Sequence, residues 1–360
     1  MDEQWTKPSE SPASEPLEPL RDDMTAPAET AAQPERPPVD LRQARHAFRR
    51  VELFAFLLML IFQVVGIIAV VITLFTKPRL IASEWFLCLV SWMPLYLIAL
   101  PACYPLLRRL PRSVPETEKL GGSRLFSIFL ICIFLTYACD LASILVLSIL
   151  EAITGLTAIN PADSMVNGIW STLLFAVILA PLGEEFICRR LILDRLCRYG
   201  EKTAILVSAL LFALLHGNLS QALYAFALGC VFGYVYLRTG RLRYCVGLHM
   251  AVNAVGGLLP ALLVTPLLDR VAALNPEALT MEQLMPVAGS LLGALLYGAL
   301  LLAAIIAGLV LLIKRRKRIC LLPAEEELPA GQRFRIAFLN PGMILAVLLF
   351  LVMTAMTFLQ

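Results

Sequence analysis

An all-α fold, a polytopic transmembrane helical bundle, is predicted by three observations on the amino-acid sequence. The 360 residues are 59% hydrophobic and only 16% charged, with a mean hydropathy of +0.78. Soluble domains are usually about 45–50% apolar and about 25% charged. Apolar runs of about 17–25 residues, the length that crosses the hydrocarbon, recur from Leu53 to the C-terminus. Basic residues gather in alternate connections between those runs, as topology anchors do.

Residues 1–50 are read as a cytoplasmic tail. Positions 1–40 hold eight prolines, ten acidic residues and three basic ones. Such a segment buries too little apolar surface to offset its ordering entropy, so disorder is expected. No apolar h-region follows Met1, so no cleavable signal peptide is expected and the first run serves as an uncleaved anchor.

Residues 51–360 are the membrane domain. Its runs fall at Leu53–Phe75, Glu84–Leu107, Leu125–Leu150, Met165–Arg189, Thr203–Gly217, Leu219–Leu237, Tyr244–Val264, Val287–Ile313 and Ile336–Phe358. That is nine spans, or eight if the short fifth run and the sixth form a hairpin or a re-entrant pair. Arg42–Arg50, Arg108–Arg124, Arg190–Lys202, Arg238–Arg243 and Lys314–Arg318 carry the basic clusters, whereas the intervening loops hold only Lys77, Arg79 and Arg270. A cytoplasmic N-terminus follows, and nine spans put Gln360 on the opposite side. The Lys314–Arg318 cluster abuts a span, so it reads as an anchor touching anionic lipid rather than as a nucleic-acid patch. Nine cysteines are scattered with no Cys-x-x-Cys, which argues against a disulfide framework or a thiolate zinc site. Asp140, mid-span, is read as structural support, and His46 as solvated. Gly229 and Gly233 form a small-x-x-x-small pair suited to close helix approach.

One stretch stands out, Leu182-Gly-Glu184-Glu185-Phe-Ile-Cys-Arg189. A charge within a bilayer costs about 2.5–3.5 kcal/mol on insertion scales. Residues four apart share a helix face, so Glu185 can pair with Arg189. Glu184 is turned about 100° away and needs company from another helix. Phe212 and His216 share a face in the fifth run, and His249 and Asn253 share one in the seventh. Two of the chain's three histidines therefore lie in apolar runs. Intramembrane ionisable residues are functional hypotheses by default, although single ones also serve as interhelical hydrogen bonds.

Low-dielectric surroundings make a carboxylate a stronger proton acceptor near neutrality. Glu184, joined through water to His216, could deprotonate that water. His249 and Asn253 could donate to a developing oxyanion, each such donor being worth about 3 kcal/mol. Together these parts describe amide hydrolysis within the membrane. The alternative assembly uses Glu184, His216 and His249 as three zinc ligands, without a His-Glu-x-x-His motif. Counted at about 1.5 Å per residue, the three do not share a depth if every helix starts at its nearest basic residue. Either the fourth helix runs on past Arg190, or the fifth is tilted or starts deeper.

At these residues the chain resembles the CPBP family of intramembrane endopeptidases, which includes type II CAAX prenyl endopeptidases and lysostaphin-resistance-type proteins. Glu184-Glu185-x-x-x-Arg189, Phe212-x-x-x-His216 and His249-x-x-x-Asn253 match its motifs in order, and the glycine-spaced stretch around Phe226–Gly233 is also similar. The catalytic core implied spans about residues 164–258. The resemblance implies a helical membrane fold with a cytosol-facing cavity. Glu184 with His216 would activate water, His249 and Asn253 would hold the oxyanion, and Glu185, Arg189 and Phe212 would support the site. It implies no cofactor in the glutamic reading and zinc in the metalloprotease reading. The expected partners are a membrane-associated peptide or protein substrate, lipidated or CAAX-like among the options, and the lipid bilayer. No nucleic acid is expected. The expected location is the plasma membrane of a prokaryote. The rival readings are a non-catalytic immunity or regulatory protein on the same scaffold, and a proton-relaying transporter; no internal repeat of the transporter kind is seen.

Overall fold

The computed structural model describes residues 39–359 apart from 114, 116, 161–167, 275–279, 323 and 325. The acidic segment 1–38 lies outside the described residues. The described chain is helical: α1 (Leu41–Thr76), α2 (Glu84–Leu106), α3 (Gly122–Thr154), α4 (Ile169–Tyr199), α5 (Glu201–Leu215), α6 (Leu219–Thr239), α7 (Leu242–Ala272), α8 (Met281–Arg318), α9 (Ala330–Phe338) and α10 (Pro341–Met356). Seven of these are long and apolar enough to cross a membrane, or eight if α9 and α10, bent by 51°, count together.

The nine-span reading is therefore corrected at the fifth run. Helix α5 has 15 residues, about 22 Å at 1.5 Å per residue, which falls short of a core of about 30 Å. Most of α5 is buried inside the protein instead. It turns at Gly217, whose φ of +66° favours glycine, and Asn218 caps α6 by accepting from the Gln221 amide at 2.9 Å. The fifth and sixth runs thus form the tight hairpin foreseen as one option, and a count based on nine crossings does not hold.

The tail boundary also moves. Asp40 caps α1 by accepting from the amides of Arg42 and Gln43 at 2.8 and 3.2 Å. Residues 41–50, grouped with the tail on composition, form its first turns because Ala44, Ala47 and Phe48 are buried. His46 is exposed, as expected.

Helices in lipid gain little from hydrophobic exclusion, so close packing of small residues joins them. Gly229 of α6 meets Ala209 and Phe212 of α5: a β-carbon there would lie 2.9 Å from the Ala209 Cα. Helix α8 packs on α3, α6 on both α5 and α3, and α1 on α10. The α1–α10 seam holds Glu52, fully buried, which accepts from Asn340 Nδ2. Leucines and isoleucines on the outer faces of α3, α8 and α10 are exposed, which suits contact with acyl chains.

Four stretches widen to π-helical pitch: Pro94–Ala99 in α2, Thr172–Leu179 and Phe186–Leu193 in α4, and Ala254–Leu258 in α7. Such wide turns are frequent at functional sites, where they re-aim side chains. Helix α4 runs unbroken past Arg190 to Tyr199, which is the first of the two resolutions of the depth mismatch.

Candidate active site

The acidic doublet occupies the short α-helical stretch Ala180–Glu185 between the two wide segments of α4. Gly183 is needed there by close approach. The Tyr96 ring and hydroxyl lie against it, and a β-carbon would overlap them. The residue before Glu184 thus presents bare backbone to a phenol from α2.

Glu185 and Arg189 are both fully buried, with Oε2 and Nε 3.0 Å apart. The guanidinium also reaches Ser208 Oγ at 3.4 Å and lies over the rings of Phe212 and Phe232, with Cζ at 5.5 and 5.8 Å from their centroids. The other oxygen of Glu185 accepts from His249 Nδ1 at 3.0 Å. This bond fixes the imidazole so that Nε2 points at Glu184 Oε2, 3.8 Å away. Glu184 keeps 25% of its side chain exposed. The two carboxylates are thus unequal: one is sealed between a cation and an imidazole, and the other is open on one side.

His216 ends α5. Its Nδ1 is 2.8 Å from the Phe212 carbonyl oxygen. A carbonyl only accepts, so Nδ1 carries a proton and Nε2 is left to other partners. The Phe212 ring stands edge-on between both histidines, with centroids 5.0 Å from His216 and 5.7 Å from His249. Asn253, one turn beyond His249, donates through Nδ2 to the Ala176 carbonyl at 2.9 Å. Ala176 lies in the first wide segment of α4, and Asn253 immediately precedes the wide segment of α7.

Six of the seven sequence-derived residues are linked by direct contacts, Asn253 is tied instead to Ala176 of α4, and only one of the two histidines expected at Glu184 faces it. Glu184 faces His249, and among the described residues His216 makes no hydrogen bond or ion pair with it. Glu185 binds His249 as well as Arg189. The ligand set for zinc does not fit. Among the described residues no three His, Cys, Asp or Glu side chains converge as metal ligands, so Glu184, His216 and His249 do not form such a group.

Three contributors were missed. Ser208 is four residues before Phe212 on α5, so helical spacing could have found it; its hydroxyl also donates to the Cys188 carbonyl at 3.1 Å. Phe232 lies beside Gly233 in the glycine-spaced stretch, and its ring packs 5.4 Å from His249. Tyr96 comes from a distant helix and carries no local signal.

With this geometry in hand, the chain can be set beside known families. Residues 166–255 match the family described as type II CAAX prenyl endopeptidase Rce1-like. The matched segment is a quarter of the chain and contains the doublet, both histidines and Asn253. It agrees with the resemblance carried by the three motifs, and it supports protease activity of the CAAX type. With its apolar helices, the chain is an integral multi-pass membrane protein. No curated protein and no solved structure matches it.

Proposed function

We infer that the chain is an intramembrane endopeptidase that hydrolyses peptide bonds of membrane-associated substrates with water activated by Glu184 and histidine. One observation carries this reading. Glu184 Oε2 and His249 Nε2 are 3.8 Å apart and unjoined, beside a second glutamate that is sealed. An oxygen atom at hydrogen-bond distance, about 2.8 Å, from both fits this gap.

Glu184 accepts a proton from the water, and the hydroxide attacks the peptide carbonyl carbon. His216, packed edge-on against the Phe212 ring, presents Nε2 as a second acceptor. His249, which gives its Nδ1 proton to Glu185 and must carry a second proton on Nε2 for this step, and the second amide hydrogen of Asn253 donate to the oxyanion as it forms. Collapse breaks the C–N bond, and the proton held by Glu184 passes to the departing amine. Water and peptide bond give one carboxyl and one amine, so atoms and protons balance. This sequence requires no cofactor. The cytoplasmic N-terminus and the plasma membrane of a prokaryote are part of the same proposal, as are a peptide or protein partner of the membrane and the absence of a nucleic-acid partner.

The test compares membrane-protein fragments, by mass spectrometry, in cells carrying wild-type protein or Glu184→Gln. New termini present only with the wild type are expected. Identical fragment sets, with the variant inserted at normal level, would instead favour the non-catalytic scaffold reading.

A further inference from the structure

A cavity of about 1050 Å³ opens between α2, the segment after it, α4 and the start of α7. It begins at Phe186, directly after the doublet, and continues to Arg195. Its walls join two kinds of surface. Leu100, Tyr104 and Phe186 form an apolar side, while Arg112, Arg190 and Arg195 form a cationic one. A second opening of about 420 Å³ shares Arg190 and adds Arg241 and Arg243.

The charges around the first cavity do not cancel. Asp194 is the acid at hand, and it is fully buried and already engaged: Tyr236 donates to one oxygen at 2.8 Å and Arg112 to the other at 2.7 Å. Arg190 lies 3.8 Å from that same carboxylate and remains partly open. Arg195 is only 2% exposed. Its guanidinium donates to the carbonyls of Leu107, Arg190 and Leu191 and forms no ion pair among the described residues. Three guanidinium groups around one engaged carboxylate leave the cavity net cationic, which favours an anionic ligand.

The apolar side tells which anion. Leu182 and Phe186 on α4, and Leu97 on α2, are exposed large side chains. Leu182 precedes Phe186 by one turn, and Leu97 precedes Pro101 of the cavity wall by one turn. Two apolar ridges therefore lead from the arginines into the hydrocarbon. We propose that this cavity binds an anionic phospholipid, its phosphodiester head on Arg190 and Arg195 and an acyl chain between the α2 and α4 ridges. Basic pockets between transmembrane helices take anionic head groups in this way. The site is independent of the proteolytic reading.

The full chain in neutral detergent is offered equal amounts of phosphatidylglycerol and phosphatidylcholine, and retained lipid is counted by native mass spectrometry. Phosphatidylglycerol is expected to be favoured. Arg190→Gln is expected to cut that preference about fivefold, the worth of one basic contact. Leu242→Trp, which adds bulk to the cavity wall without changing charge, is expected to reduce it as well, while Lys77→Gln, in the connection between α1 and α2 and outside the cavity lining, leaves it intact. Thermal unfolding confirms that each variant is folded. Equal retention of both lipids, or unchanged preference in both cavity variants, overturns the proposal. So does displacement of the lipid by inorganic phosphate, which would mark a free-anion site. Displacement by a peptide with a free carboxylate but not by its amide would assign the cavity to a peptide instead.

Discussion

Replacing Glu185 with glutamine removes one charge and almost no volume, and it separates the two acids of the doublet. Arg189 would then keep only Ser208 Oγ at 3.4 Å and the faces of Phe212 and Phe232. Its Nη2 already has no hydrogen-bond partner. Glutamine can still accept from His249 Nδ1, so the loss is one of charge compensation. Breaking a fully buried ion pair from one side costs about 3–5 kcal/mol, and ring faces return about 1–2 kcal/mol only when they are new contacts, which these are not. Glu185→Gln is therefore expected to lose about 3 kcal/mol or more. Glu184→Gln, on a partly open side chain with no ion pair to a permanent cation, should stay within about 1 kcal/mol. Equilibrium unfolding in mixed micelles under a denaturing detergent measures both. The double variant Glu185→Gln/Arg189→Met removes both charges and should recover to within about 1 kcal/mol of wild type, since well-packed apolar replacements of buried pairs are near neutral. The reasoning is refuted if Glu185→Gln is harmless, or if Glu184→Gln is the costlier of the two.

Three further outcomes can be checked. Gly229→Ala places a methyl 2.9 Å from the Ala209 Cα, where backbone cannot give way, and should cost about 1–3 kcal/mol. Gly233→Ala meets Ile205 only at 3.5 Å and should change stability by less than about 0.5 kcal/mol; thermal melts of the two distinguish them. Gly183→Ala should expel the Tyr96 ring from its seat and shift Trp92 fluorescence, since the two rings are 4.4 Å apart; adding Tyr96→Ala should relieve the stability loss. Asn253→Ala should lower the hydrolytic rate about 100-fold through loss of an oxyanion donor, with the unfolding midpoint little changed.

The helical membrane fold was legible because its signals are local: long apolar runs, few charges and basic clusters at their ends. So was the Glu185–Arg189 pair, where helical spacing alone brings acid and base together. Helix α5 was misjudged because an apolar run reads alike whether lipid or protein surrounds it; Gly229 and Ala209 decide the matter by bringing α6 against α5. Which of the two candidate histidines faces Glu184 was beyond reach for another reason. The choice depends on the pitch of α4 and α7, and the wide turns flanking Glu184 and following Asn253 rotate those helices by amounts that no residue spacing records. The Glu52–Asn340 bond and the Asp194–Tyr236 bond join residues 288 and 42 positions apart, which only the assembled bundle brings together.

The central claim is that Glu184 is the reacting carboxylate and Glu185 its structural neighbour. The most direct measurement follows cleavage by the purified chain in vesicles of a membrane peptide identified from the fragment comparison, with Glu184→Gln beside the wild type. The account expects Glu184→Gln to fold normally and to lose activity by about 1000-fold or more, the combined scale of a lost general base and a misaligned water. Wild-type turnover in folded Glu184→Gln would contradict it.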